Sequence, residues 1–312
     1  MKIAYLFPGQ GSQAVGMCYE LFKEHALVRD TFDEADDLYG EKLSSMCFFG
    51  PEEALKQTIV TQPALYVTSV AILRVLQHSG ATDPFAVAGH SIGEYAALTA
   101  AGVLDFETGF HLVMRRAQEM QRAASTHPGT MAAVVGISAE AADECCREIS
   151  TTEAIVEAAN FNSPSQVVIS GSSLGIERAT AALKLRGARK VIPLSVSGAF
   201  HSSLMKPAAD AMVPVLEHAQ LKPPNKIVIA NRTADIENEV SEIKHNLASQ
   251  IDHPVRWEQS ILKLSTLGCT HYAEVGPGSI LSGLNKRILE VHTTVAAGDM
   301  EGVNNVLAFG GE

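Results

Sequence analysis

Ser91 stands between two glycines in Ala88-Gly89-His90-Ser91-Ile92-Gly93-Glu94, directly behind the apolar run Phe85 to Ala88 and ahead of an Ala/Leu-rich stretch. Strand, tight turn and helix in that order make a nucleophile elbow. The glycines allow the sharp turn without a Cβ clash. The hydroxyl is then raised to a helix N-terminus, where free N–H groups and the helix dipole favour developing negative charge. The alternative is a Gly-bounded turn with an incidental serine. A serine nucleophile further needs a base within hydrogen-bond reach and N–H donors for a tetrahedral oxyanion. The residue after an elbow nucleophile supplies one such donor, which here is Ile92.

The base must come from 11 histidines. His90 adjoins the serine, but neighbours on a tight turn point apart, so it reads as a structural contact. His201 lies in Ser197-Gly198-Ala199-Phe200-His201-Ser202-Ser203, a small-residue loop entering a helix that can present a side chain to a cleft. His25, His111, His218 and His245 read as surface residues of helices. No histidine pair has ligand spacing and no His-Glu-x-x-His occurs, so no metal is expected. A hydrolase triad would order an acid between Ser91 and His201. Arg115 and Arg116 sit side by side on a helix about 100° apart, so both cannot face one cleft. By pattern alone both read as surface charges.

These residues need elements to hold them. Lys2 to Phe7 reads as a buried strand stopped by Pro8-Gly9-Gln10-Gly11-Ser12, a loop leaving a strand end. Helical patterns follow over Met17 to Leu38 and from the start signal Gln62-Pro63 through His78. A further helix runs from the N-cap Asp105 to Ala124. After the turn formers Ser125 to Gly129 the texture changes. Strands at Met131–Ile137, Ala154–Phe161, Gln166–Ser170 and Lys190–Leu194 interleave with helices from Ser138 to Ile149 and Ser173 to Arg186. That β-α-β-β-α-β order is the ferredoxin-like unit. Past Ser195 to Gly198 come a helix from Ser203 to Ala219, a strand Lys226–Ala230, two helices flanking Pro254, a strand Thr270–Val275 and a helix Ser279–Leu289. The tail from Ala296 is Gly-rich and weakly specified. The expected fold is α/β: a hydrolase-like, mainly parallel sheet domain (1–126 and 196–312) with an inserted ferredoxin-like subdomain (127–195).

The 312 residues, 46% hydrophobic and 19% charged, suffice for a substantial core. The balance of 24 Lys+Arg against 35 Asp+Glu gives −11, which argues against nucleic acid, and an acidic protein partner would need a local basic patch. Five scattered cysteines without Cys-x-x-Cys spacing suggest reduced thiols in a cytoplasmic protein. Ile3 to Phe7 is too short for a signal-peptide core. Val67 to Leu76, broken by Arg74, falls short of the roughly 20 residues of a membrane span. A soluble protein is expected.

Four segments in fixed order, Phe7-Pro8-Gly9-Gln10-Gly11-Ser12-Gln13, Gly89 to Glu94, Gly198-Ala199-Phe200-His201-Ser202-Ser203-Leu204-Met205 and Glu274-Val275-Gly276-Pro277-Gly278, carry a resemblance together with Asn160 to Pro164 and Gln166 to Gly171. Over nearly its whole length the chain resembles the malonyl-CoA:acyl carrier protein transacylases, and it is similar to the free-standing acyltransferases of polyketide synthases. The resemblance implies Ser91 as acylated nucleophile, His201 as general base and then acid, and the backbone N–H groups of Gln10 and Ile92 as oxyanion hole. It selects Arg116 to bind the malonyl carboxylate, leaving Arg115 as a solvated charge. It implies that a backbone carbonyl near Gln250, rather than the nearby Asp252, orients the histidine, and that Phe200 narrows the pocket towards malonyl. Implied partners are malonyl-CoA and an acidic carrier protein bearing phosphopantetheine, with no further cofactor, no metal and a monomeric enzyme. Arg186, Arg189 and Lys190, with Lys286 and Arg287, are the candidates for a basic docking rim.

Overall fold

The computed structural model describes residues 1–310. Among these, ten strands run in chain order: β1 (Ile3–Phe7), β2 (Ala86–Gly89), β3 (Thr130–Val135), β4 (Val156–Ser163), β5 (Gln166–Gly171), β6 (Lys190–Pro193), β7 (Ile227–Ile229), β8 (Ile236–Glu237), β9 (His271–Glu274) and β10 (Thr293–Ala296). Six of them form a sheet in the order β10-β9-β1-β2-β7-β8, parallel throughout except for the edge pair β7–β8. A parallel sheet is covered on both faces, so its central strands carry apolar residues in both registers. Tyr5, Phe7, Val87 and Val228 point into the larger core with the helices Thr58–His78 and Phe106–Thr126. Ala4, Leu6, Ala88 and Ile229 face Trp257, Ile261 and Leu281 on the other side. The strands end together, Phe7 level with Gly89 and Leu6 with Glu274, so the loops that follow meet at one edge.

The other four strands make a separate antiparallel sheet ordered β4-β5-β3-β6. Helices Ala139–Ile149 and Ser173–Leu185 cover one face, and each begins at a serine whose hydroxyl accepts a backbone N–H, Ser138 from Ala141 and Ser172 from Gly175. Alternation turns Val134, Val167 and Ile169 towards those helices, while Met131, Ala133 and Val168 join the main core. Val255 fastens the two sheets: its N–H donates to the Ala159 carbonyl and its carbonyl accepts the Phe161 N–H, both at 2.9 Å.

Four expectations from sequence need correction. Met17 to Leu38 is two helices, Tyr19–Glu24 and Ala26–Tyr39, because His25 is extended between them. Two short helices, Leu43–Phe49 and Glu52–Leu55, were not foreseen. The helix assigned a start at Gln62-Pro63 begins at Thr58 and holds Pro63 inside. A proline there removes a single bond, to the Ile59 carbonyl, while the N–H groups of Val60 and Thr61 are satisfied by Gln57 at 2.8 Å. At 21 residues this helix is long and apolar enough to cross a bilayer by length and composition, but 89% of its apolar window is buried within the fold. Finally, an unforeseen strand, β10, leads into the tail, and the tail itself forms the helix Met300–Leu307, capped by Asp299, whose carboxylate accepts the Gly302 N–H at 2.8 Å.

Candidate active site

Ser91 stands two residues past the end of β2 and has φ +53°, the left-handed region that side chains with a Cβ rarely adopt. The turn is squeezed on both sides. A Cβ on Gly89 would lie 2.0 Å from the Gly93 carbonyl carbon, and one on Gly93 2.1 Å from the Phe7 oxygen. Only glycine fits at either end, and the helix Gly93–Ala100 leaves directly from the turn.

Ser91 Oγ lies 2.8 Å from His201 Nε2, and His201 Nδ1 lies 2.8 Å from the backbone oxygen of Gln250. A carbonyl can only accept, so Nδ1 carries the proton and Nε2 is left to accept the serine hydroxyl. His201 is itself left-handed (φ +59°) and buried, its N–H donating to the Ile251 carbonyl at 3.2 Å. Burial first, and then the neighbouring Arg116 charge, push the imidazole down to about 3. It is therefore a neutral base at ordinary pH. Asp252 is turned to its own neighbour, 2.7 Å from His253 Nδ1, and the partner of His201 Nδ1 is the Gln250 carbonyl rather than a carboxylate.

Arg116 is 1% exposed in the helix Phe106–Thr126. Its Nη1 donates to Gln62 Oε1 at 2.8 Å, and its Nη2 to Gln250 Oε1 at 2.7 Å and Ser91 Oγ at 3.1 Å, while Nε has no protein partner. Every hydrogen-bond partner is neutral. A buried guanidinium whose hydrogen-bond partners are two amide oxygens and a hydroxyl keeps the capacity to receive a carboxylate. Arg115 points elsewhere, half-exposed and ion-paired with Glu119 at 2.8 Å, so it is a paired rather than a free surface charge.

A cavity of about 520 Å³ opens over these groups, and Gln10, Ile92, Arg116, Phe200 and His201 line it with Ser91. The N–H groups of Gln10 and Ile92 donate to no protein acceptor among the described residues, which leaves both open to an oxyanion. Phe200 is buried at the cavity wall. His90 is a structural contact, as its position implies: Nε2 meets Asn162 Oδ1 at 2.9 Å and the ring packs on Trp257 with 5.5 Å between centroids.

Three residues of this site escaped sequence reasoning. Gln62 is a lone amide within an apolar helical run, and that incongruity was its only signal. Glu94 is buried at the start of the elbow helix. Its Oε1 accepts the Asn231 N–H at 2.9 Å and its Oε2 accepts the Gln250 side-chain amide, which also donates to the Ser91 carbonyl at 2.9 Å. Burial raises the Glu94 carboxyl well above the usual range. Asn231, just past β7, gave no signal at all, yet its Oδ1 accepts the Ser91 N–H at 2.6 Å.

The basic candidates are brought partly together. Arg287 Nη1, from the helix Ile280–Ile288 that also carries Lys286, donates to Gln166 Oε1 at 2.6 Å. Gln166 is level with Val135, and Val135 with Lys190, so Arg287 and Lys190 mark one end of the antiparallel sheet about two strand spacings apart. Arg189 stands beside Lys190, its N–H on the Val135 carbonyl at 2.8 Å. Arg186 is ion-paired with Glu148 and its charge is already engaged.

The acyl transferase domain family matches residues 4–304. The malonyl CoA-acyl carrier protein transacylase of Bacillus subtilis (strain 168) is 45% identical over 300 residues, 96% of this chain and 94% of that protein. The transacylase of the same name from Escherichia coli (strain K12) is 41% identical over 295 residues, 95% of each. A malonyl-transacylase solved in complex with its type II PKS acyl-carrier protein superposes with TM-score 0.96 at 41% identity, covering 99% of this chain and 100% of that one. An acyl carrier protein S-malonyltransferase from Vibrio cholerae O1 superposes with TM-score 0.94 at 42% identity over 98% of this chain and 100% of its own. The chain thus belongs to the acyl transferase domain family, among the malonyl CoA-acyl carrier protein transacylases.

Proposed function

We propose that the chain moves a malonyl group from malonyl-CoA to the phosphopantetheine thiol of an acyl carrier protein, in two half-reactions through an ester on Ser91. In the first, Ser91 Oγ attacks the thioester carbonyl as His201 Nε2 takes its proton. The oxyanion is met by the N–H groups of Gln10 and Ile92, and collapse expels the CoA thiolate, which recovers the proton from His201. In the second, His201 deprotonates the pantetheine thiol, its sulfur attacks the ester, and Ser91 leaves with the proton. The 3.1 Å contact between the buried Arg116 guanidinium and Ser91 Oγ carries this reading, because it sets a carboxylate receptor beside the nucleophile. A malonyl group puts its ester carbonyl at one and its free carboxylate at the other. Phe200 closes the wall where a branched acyl group would need room.

The antiparallel sheet we read as a ferredoxin-like subdomain spanning 127–195, inserted into a hydrolase-like body of 1–126 and 196–312. Its strand order and antiparallel pairing support the first description, and the strand–elbow–helix at Ser91 supports the second. The chemistry needs no group beyond the CoA thioester and the partner's pantetheine arm. Five free, buried cysteines fit a reducing cytoplasm. We favour supply to fatty acid synthesis. Service to polyketide carrier domains is the second reading, favoured by the likeness to the transacylase solved with a type II PKS carrier. Mass spectrometry after exposure to malonyl-CoA tests the mechanism: a malonyl adduct on Ser91 is expected in the unaltered protein and none in Ser91→Ala, and an adduct persisting in the variant would overturn it.

A further inference from the structure

The left-handed backbone of Ser91 needs something to hold it. β2 stops at Gly89 and its parallel neighbour β7 at Ile229, with Ala88 level with Ile229. Two residues on, Asn231 therefore comes level with His90, and its side chain spans the turn on either side. Oδ1 accepts the Ser91 N–H at 2.6 Å, and Nδ2 donates to the Gly89 carbonyl. Asn231 is 1% exposed and fixed at both its own backbone groups: its N–H donates to Glu94 Oε1 and its carbonyl accepts the Arg256 N–H, each at 2.9 Å.

We propose that Asn231 is a positioning residue, a clasp that locks the nucleophile elbow in its left-handed form and so aims Ser91 Oγ at His201. Both backbone groups it binds point away from the finished β-ladder, and a buried N–H or C=O without a partner is costly. A primary amide is the shortest side chain that can accept at one atom and donate at the other. By occupying the Ser91 N–H, the clasp also leaves the Ile92 N–H as the open donor next to the nucleophile. Glu94 extends the brace, since one carboxylate holds the Asn231 backbone and the Gln250 amide together. The anchored Gln250 in turn holds the Ser91 carbonyl and Arg116.

This inference rests on Ser91 being the nucleophile, and the experiment separates the two. Phenylmethanesulfonyl fluoride is a small neutral probe that sulfonylates an activated serine with loss of fluoride and makes no use of Arg116. Labelling of the unaltered protein at Ser91, located by mass spectrometry, tests the nucleophile alone. For the clasp, Asn231→Ala is expected to slow this labelling and malonyl transfer by a common factor of about 10²-fold, the scale of a 1 Å misplacement, with the KM for malonyl-CoA unchanged. Unaltered labelling in a folded Asn231→Ala protein, or a rise in KM with kcat retained, would overturn the proposal. If Asn231→Ala does not fold, the isosteric Asn231→Asp carries the test. A carboxylate keeps the acceptor for the Ser91 N–H and opposes the Gly89 carbonyl, and protonation restores the missing donor. The ionisable groups around this position are Glu94 from the elbow helix, Glu237 from β8, which interacts with Glu94, Arg116 from Phe106–Thr126, His90, and His201 from its loop. All are common to both proteins, so they largely drop out of a ratio. The labelling rate of Asn231→Asp relative to wild type is expected to rise as pH falls from about 8 to 6, and a flat ratio would overturn the clasp.

Discussion

Arg116 Nη2 sits between Ser91 Oγ and Gln250 Oε1, 3.1 Å from one and 2.7 Å from the other. One charged nitrogen thus touches both the Ser91 hydroxyl and the side chain of Gln250, whose backbone carbonyl meets His201 Nδ1. Removing it should discriminate between substrates. In Arg116→Ala the malonyl carboxylate would be buried without its partner, a loss on the order of 2–5 kcal/mol, whereas an acetyl group has no carboxylate to lose. We expect kcat/KM for malonyl-CoA to fall far more than for acetyl-CoA. Arg115→Ala, which breaks only the ion pair with Glu119, should leave the ratio alone. Equal losses for both thioesters in Arg116→Ala would make the arginine structural.

His201 gives a pH signature. Because burial and Arg116 push it down to about 3, the base is still neutral at its ordinary midpoint of 6.5. The acid limb of kcat/KM, which reports the free enzyme, should therefore lie well below pH 6.5. Bound malonyl brings a negative charge to Arg116 and offsets part of its effect on His201, so the limb in kcat should sit at higher pH than the limb in kcat/KM. Coincident limbs in stopped-flow profiles would deny this electrostatic link. His201→Ala should lose about 10²–10⁴-fold in transfer.

The site and the fold were not equally legible in the sequence. Ser91, His201 and Arg116 lie in local patterns, or are marked by the likeness to a family, and the structure brings His201 and Arg116 each within hydrogen-bond reach of Ser91. Asn231 and Glu94 act through a parallel register between strands about 140 residues apart, and no local pattern records that. Helix limits failed for a related reason. Gln62-Pro63 carries the local signature of a helix start, yet packing of the buried helix outweighs one missing hydrogen bond. Conversely, Asp105 and Ser138 signalled their caps correctly, because a cap is a contact between residues three apart.

Stability should respond to Glu237, whose Oε2 accepts from Asn246 at 2.9 Å while Oε1 has no partner. Burial, then the charge of Glu94, raises this carboxyl from 4.5 to about 8. A raised carboxyl binds its proton more tightly folded than unfolded, so its contribution is present below pH 4.5 and is lost as pH rises towards 8. Glu237→Gln keeps an acceptor for Asn246 and has no charge to bury. Its Tm advantage over wild type should grow between about pH 5 and 8, at ~2–4 °C per kcal/mol for a body of this size. A difference that does not vary with pH would mean Glu237 is not titrating in the fold.

The basic rim is testable because the two half-reactions can be assayed apart. Arg189→Glu and Lys190→Glu should raise the KM for carrier protein several-fold, with strong salt dependence, and leave CoA release from malonyl-CoA unaffected. Arg186→Glu should do less, since Glu148 already holds that charge. Equal effects of all three would argue for general field steering over a defined rim.

His201 waits on a carbonyl 49 residues further along the chain, and Arg116 on the amide of that same Gln250, 134 residues after it. A ribosome that has made the nucleophile, the base and the guanidinium has still not made a working enzyme. Until the segment around Gln250 has emerged, the imidazole has nothing to fix its tautomer and the arginine lacks one of its two amide anchors. Chains released before Gln250 should therefore leave the cell's malonyl-CoA untouched, because reactivity arrives only with that segment.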